Sequence, residues 1–141
     1  MAIYDSSPVW ENRFAPSRDE IETLAKSSFS ELPTDFHAKA GKIKICVTEY
    51  PTQALSDHLA LETPFDLLGI FEGHGSRDYW TPPHTSGAIE NQLTLFRRAI
   101  LDYWCDNNEP LDDIIGHIVI SELGHHFGLS EDEMRDLETH D

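Results

Sequence analysis

"VISELGHHFGLSEDEM", residues Val119 to Met134, is the stretch whose reading decides the fold. From about Leu111 to Phe127, Ile114, Ile115, Ile118, Val119 and Leu123 put apolar side chains around much of a helix circumference, the pattern of a central and well-buried helix. Pro110 suits its first turn, where the N–H has no intrahelical partner in any case. Gly128 is placed to end it in a left-handed turn that a Cβ would disfavour, and Ser130 can then cap a final acidic helix running to about Leu137. Glu122 and His125 stand three residues apart, so they are neighbours on one helix face.

Working back along the chain, Ser17 and Glu20 have the form of a capping box, and Ile21, Leu24, Ala25 and Phe29 follow at helical spacing for about three turns. Pro33 sets the outer limit of this helix. Residues 1–16, with Pro8 and Pro16 and no sustained period, read as an irregular arm with Trp10 and Phe14 as its candidate anchors. Ile43, Ile45 and Val47 alternate with Lys44, Cys46 and Thr48, as a strand with one better-buried face would. Thr52 to Leu61 reads as a short helix carrying Leu55 and Leu59, and Phe65 to Glu72 as a second strand. Gly73 to Gly87, with His74 and His84, has the composition of a long surface loop.

Gln92 to Arg97 alternates again, with Leu93 and Leu95 on one side and Thr94 and Phe96 on the other, as an edge or half-buried strand would. Ala99 to Cys105 suits a short helix with Ile100, Tyr103 and Trp104 on one flank. The order of elements predicts an α+β fold, a small mixed β-sheet packed on helices with the Leu111–Phe127 helix at its centre. A length of 141 residues supports a single domain spanning 1–141.

Composition narrows the function classes. With 26 acidic against 10 basic residues the formal charge is −16, which repels phosphate backbones and anionic lipid, so neither nucleic acid nor a membrane surface is expected as a partner. No apolar run approaches the length of a membrane span. The N-terminus lacks the basic and apolar regions of a secretory signal, and a cytoplasmic location is the expectation. Cys46 and Cys105 are expected to be reduced thiols, with Cys105 buried beside Trp104.

The chemistry of the opening stretch lies in its spacing. In the HExxH pattern of zinc peptidases, two histidines four apart share a helix face about 6 Å apart in axial rise, and the glutamate beside the first activates a metal-bound water. Here those positions read Ser121, Glu122, Leu123, Gly124 and His125. The longer pattern continues through a glycine to a third ligand, and Gly128 and Glu131 occupy those places. The base candidate Glu122, the second ligand His125 and a carboxylate at Glu131 are therefore present, while Ser121 stands where the first histidine would be.

The chain resembles the short bacterial zincin-like metallopeptidases, the minimal zincins. Against family segments of the form SPFDLLG, LYRRPILDYW and HVLVHEIGHHFGLSDDDM, it has "TPFDLLGIFEG" at 63–73, "LFRRAILDYW" at 95–104 and "HIVISELGHHFGLSEDEM" at 117–134, in the same order. The last segment matches at His117, Glu122, Gly124, His125, His126, Phe127, Gly128, Leu129, Ser130 and Met134. It departs at Ser121, for histidine, and at Glu131, for aspartate. The resemblance implies a minimal zincin-like fold, zinc as cofactor, Glu122 as catalytic base, His125 and Glu131 as metal ligands, and a substrate peptide laid beside Leu93, Thr94, Leu95 and Phe96.

The departure at Ser121 divides the expectations. A serine hydroxyl is a poor zinc donor, and His117, one turn before Ser121, is about 12 Å in rise from His125, too far to replace the missing ligand. His126 points about 100° away from His125, and His74, His84 and His140 lie on segments without regular pattern. One reading is a zincin homologue with a degenerate zinc site, impaired in peptide hydrolysis and retaining peptide or protein binding. The alternative is a working metallopeptidase whose metal is completed by water. Of the other candidates, Asp66 and Glu72 read as solvated strand-end carboxylates, and Arg97 and Arg98 as partners of the acidic surface rather than a grip on a substrate carboxylate.

Overall fold

A computed structural model of the protein describes residues 10–73 and 91–139. Ser17 caps α1 (Arg18–Ser30) with a complete capping box, its Oγ accepting from the Glu20 N–H and the Glu20 carboxylate from its own N–H. Ile21 and Ala25 are the buried face of that helix. A second helix follows that the sequence pattern did not reveal, α2 (Thr34–Ala40), which buries Phe36 and Ala40 and has no side-chain cap. β1 (Lys44–Thr48) and α3 (Gln53–His58) stand where the periodicity puts them, α3 capped by the Thr52 hydroxyl.

The second strand is shorter than expected. Thr63 and Asp66 cap each other around a 3-10 turn at Pro64–Asp66, so β2 is confined to Gly69–Glu72. β3 (Gln92–Phe96) runs directly into α4 (Arg97–Asp106), and α5 (Leu111–His126) and α6 (Glu131–Thr139) complete the chain. Pro110 is the N-cap of α5, one residue outside its first turn. The protein is thus α+β, six α-helices with a three-stranded mixed sheet among the described residues.

The sheet order is β1-β3-β2, with β1 parallel to β3 from Lys44↔Gln92 to Thr48↔Phe96 and β2 antiparallel from Gly69↔Leu95 to Glu72↔Gln92. β3 is therefore the middle strand and not an edge. Both of its ladders are filled, and Leu93, Thr94, Leu95 and Phe96 are all buried. Its polar Thr94 is enclosed between Cys46 and Ile70 and accepts from the Gln92 side-chain amide at 3.0 Å, which is how an alternating pattern comes to sit inside the sheet.

α1 and α5 cover one face of the sheet. Ile21, Ala25, Ile45, Phe71, Leu93, Leu95 and the α5 residues Ile114, Ile115, Ile118, Val119, Ile120 and Leu123 form one apolar cluster. Gly69 lets β2 approach α5, since a Cβ there would lie 3.1 Å from Ile118 Cγ2 and from the Thr94 carbonyl. A smaller cluster of Leu55, Phe96 and Ala99 packs beyond the far end of β3. Phe14 is exposed and does not anchor the arm, and the side chain of Trp10 and the loop expected through Gly87 lie outside the described residues. Cys105 is exposed rather than buried: α4 turns Ala99 and Ile100 inward, and Cys105 falls on the other flank.

Candidate active site

α5 positions the candidate residues, and its inner face explains the rigidity of that position. Leu123 is fully buried, and Gly124 has no room for a side chain because an added Cβ would collide with the Sδ and Cγ of Met134 on α6. The helix then ends in a Schellman turn: Leu129 N–H donates to the Gly124 carbonyl at 2.8 Å, Gly128 N–H to His125 at 3.3 Å, and Gly128 takes φ +73°. The positive φ is the reason glycine belongs there. α6 starts at once, with the Ser130 Oγ accepting from the Glu133 N–H and the Glu133 carboxylate from the Ser130 N–H. The Ser130 N–H, and after it the Ser130 side chain, hold the Glu133 carboxyl below its usual range.

Glu122 is half-buried beside β2. Its Oε1 accepts the Phe71 backbone N–H at 3.2 Å, joining the centre of α5 to the outer side of β2. Burial raises its pKa above the ordinary carboxylate value, while the Phe71 N–H and neighbouring His125 act in the opposite direction. Phe71 is itself buried, and its ring lies 4.3 Å from that of His126 and 6.0 Å from that of Phe127. His126 thus faces β2, away from the face that Ser121 and His125 share.

His125 and Glu131 are exposed, and Ser121 is half-buried one turn before His125. The structure brings Glu122 and His125 together electrostatically and sets Glu131 at the first position of α6. His117 is committed elsewhere, its Nδ1 lying 2.7 Å from the Glu138 carboxylate on α6. Among the described residues no group of three His, Cys, Asp or Glu side chains could hold a metal ion. His74, His84 and His140 lie outside them.

Zinc takes three or four protein donors, three at a catalytic site. Among the described residues the donor set is one imidazole, one carboxylate and a neutral hydroxyl, which does not fit a tightly held zinc ion. Phe71 and Met134 are the contributors that sequence reasoning missed. A backbone N–H carries no sequence signal, and the match of Met134 to the family segment pointed to its place without its contact.

Asp66 is spent on the Thr63 N–H, and Arg97 and Arg98 both pair with Glu49, Arg98 at the surface and Arg97 largely enclosed. No helix among the described residues is long and apolar enough to cross a membrane. No curated protein matches the chain. A family model described as zincin-like metallopeptidase matches residues 40–140, a span that takes in β1 to α6 and every candidate residue above. With most of the chain covered, this protein belongs to the zincin-like metallopeptidase family.

Proposed function

We propose that this family member has a degenerate zinc site, is impaired in peptide hydrolysis, and keeps the capacity to bind an extended peptide. The observation that carries the reading is Ser121 on the face of α5 that it shares with His125, a hydroxyl in place of the imidazole that a zinc site needs. What this chain's own residues do is hold a desolvated carboxylate, Glu122, against the backbone of β2.

The position of a bound peptide follows from the sheet. β3 has strands on both sides, so a peptide joining the sheet by backbone pairing would lie along β2, the antiparallel outer strand next to Glu122. The Phe71 N–H there is already taken by Glu122, so a peptide carbonyl would compete with that carboxylate for the same donor.

The test is turnover of an unstructured protein substrate with zinc supplied, comparing the unaltered protein, Glu122→Gln and Ser121→His. The expected result is no difference between the unaltered protein and Glu122→Gln, with turnover gained in Ser121→His. Zinc-dependent turnover by the unaltered protein that Glu122→Gln abolishes would overturn the reading in favour of a working peptidase.

A further inference from the structure

At the opposite end of the sheet from Glu122, the acidic chain carries a basic and aromatic island. β1 and β3 run parallel and end together, so Glu49 and Tyr50 emerge beside Arg97 and Arg98, whereas Glu122 meets β2 toward the Glu72↔Gln92 end. Glu49 alone faces three arginines: Arg97 Nη1 at 3.0 Å, Arg98 Nε at 2.9 Å and Arg18 Nε at 3.4 Å. Its carboxyl is accordingly held below the usual range, first by the Arg98 bond. One carboxylate thus gathers three guanidinium groups in a molecule of formal charge −16.

The three arginines are not equivalent. Arg97 is largely enclosed, with its Nε donating to the Pro16 carbonyl at 2.7 Å, so it ties the arm to the sheet. Arg98 and Arg18 have side chains 51% and 61% exposed; Arg98 is held to Glu49 by its Nε hydrogen bond, while Arg18 Nε lies at ion-pair distance from the same carboxylate. Beneath Arg98 lies the Tyr50 ring, 5.9 Å from its guanidinium carbon, and the Phe65 ring stands edge-on to Tyr50 at 6.1 Å. Both rings are exposed, at 46% and 43%.

We infer that the surface formed by Arg18, Arg98, Tyr50 and Phe65 docks a carboxylate-bearing peptide segment with an apolar side chain beside its acidic residue. A fork held at Nε presents paired N–H groups to a carboxylate, with less freedom lost on binding than a free arginine would lose. The adjoining exposed rings provide the apolar contact that concentrates binding energy at such surfaces. A polyanion such as nucleic acid is disfavoured by the net charge of the whole chain, whereas a short acidic segment engages the island within about one Debye length, roughly 8 Å at physiological ionic strength.

The test is fluorescence anisotropy of a labelled peptide of glutamate, leucine and phenylalanine, with a lysine-for-glutamate peptide as control and thermal melting of every variant. The expected result is saturable, salt-sensitive binding of the acidic peptide only. Arg98→Ala or Tyr50→Ala should weaken it about tenfold or more, a loss of at least one hot-spot contact. Phe65→Ala, whose ring is exposed and bonds to nothing, gives the same reading should Arg98→Ala lower the melting temperature. Absence of binding, equal binding of the lysine peptide, or unchanged affinity in folded Tyr50→Ala and Phe65→Ala proteins would overturn the inference. Self-association that Arg98→Ala abolishes would overturn it in favour of a second copy of this chain.

Discussion

Within the family segment of α5 and α6, two sets of residues contrast. Glu122, Gly124, Phe127, Gly128, Ser130 and Met134 each have an internal partner: the Phe71 N–H, the Met134 thioether, the Phe36 ring at 5.7 Å, a left-handed turn, the Glu133 N–H and the Gly124 backbone. His125 and Glu131 are exposed, and their side chains make no hydrogen bond among the described residues. Packing and capping account for the first set, whereas the second faces solvent. The difference teaches that most of a zincin segment serves the fold whether or not a metal is held. Persistence of Glu122 is then no proof of turnover.

The sharpest way to break this comparison is to remove one residue from each set. Met134→Ala, at a buried position, should cost about 2–5 kcal/mol, whereas His125→Ala should fall within about 0.5 kcal/mol of the unaltered protein in urea denaturation. A large loss in His125→Ala would show that the exposed set has a folding role after all.

Next in size is the Glu122 anchor. Glutamine keeps an acceptor for the buried Phe71 N–H and alanine does not, while both remove the charge. Glu122→Gln should therefore be more stable than Glu122→Ala by about 1–3 kcal/mol, with faster amide exchange at Phe71 in the alanine variant alone. Equal stability and equal exchange would reduce Glu122 to a side chain without a structural role.

The smallest effects are in pH dependence, and the two carboxylates should differ in sign. Glu49 has a lowered folded pKa, so its contribution is present above the unfolded value and lost as pH falls through the folded one; Glu49→Gln should flatten that acid-side loss. Glu122 has a raised folded pKa, so its contribution is full below the unfolded value and declines as pH rises through the folded one; Glu122→Gln should remove that decline. Melting curves across the acidic range check both. Slopes of the same sign would contradict the burial of Glu122.

Much of the frame was legible because its signals are local. The Ser17–Glu20 box, the Ile43–Val47 alternation, the isoleucines of α5 and the Gly128–Ser130 turn each state their structure within a few residues. α2 escaped because Phe36 and Ala40 are its sole buried residues in a seven-residue helix whose cap is Pro33. Phe65 to Leu68 reads as the start of a strand by hydropathy, yet Thr63 and Asp66 close a turn around Pro64–Asp66. β3 read as an edge or half-buried strand because its alternation includes Thr94, and only the pairing with both β1 and β2 shows that the hydroxyl is enclosed. In the candidate site, Glu122, His125 and Glu131 could be picked from spacing, but the Phe71 N–H that Glu122 holds is backbone from a distant strand.

The central claim is that the fold keeps this helix while the metal site is incomplete, and thermal melting with and without zinc tests it most directly. A ligand that binds only the folded state at a hundred times its dissociation constant adds about 2.7 kcal/mol of stability. The account predicts that zinc leaves the melting temperature of the unaltered protein where it was and raises that of Ser121→His. A zinc-dependent rise in the unaltered protein that His125→Ala removes would contradict it.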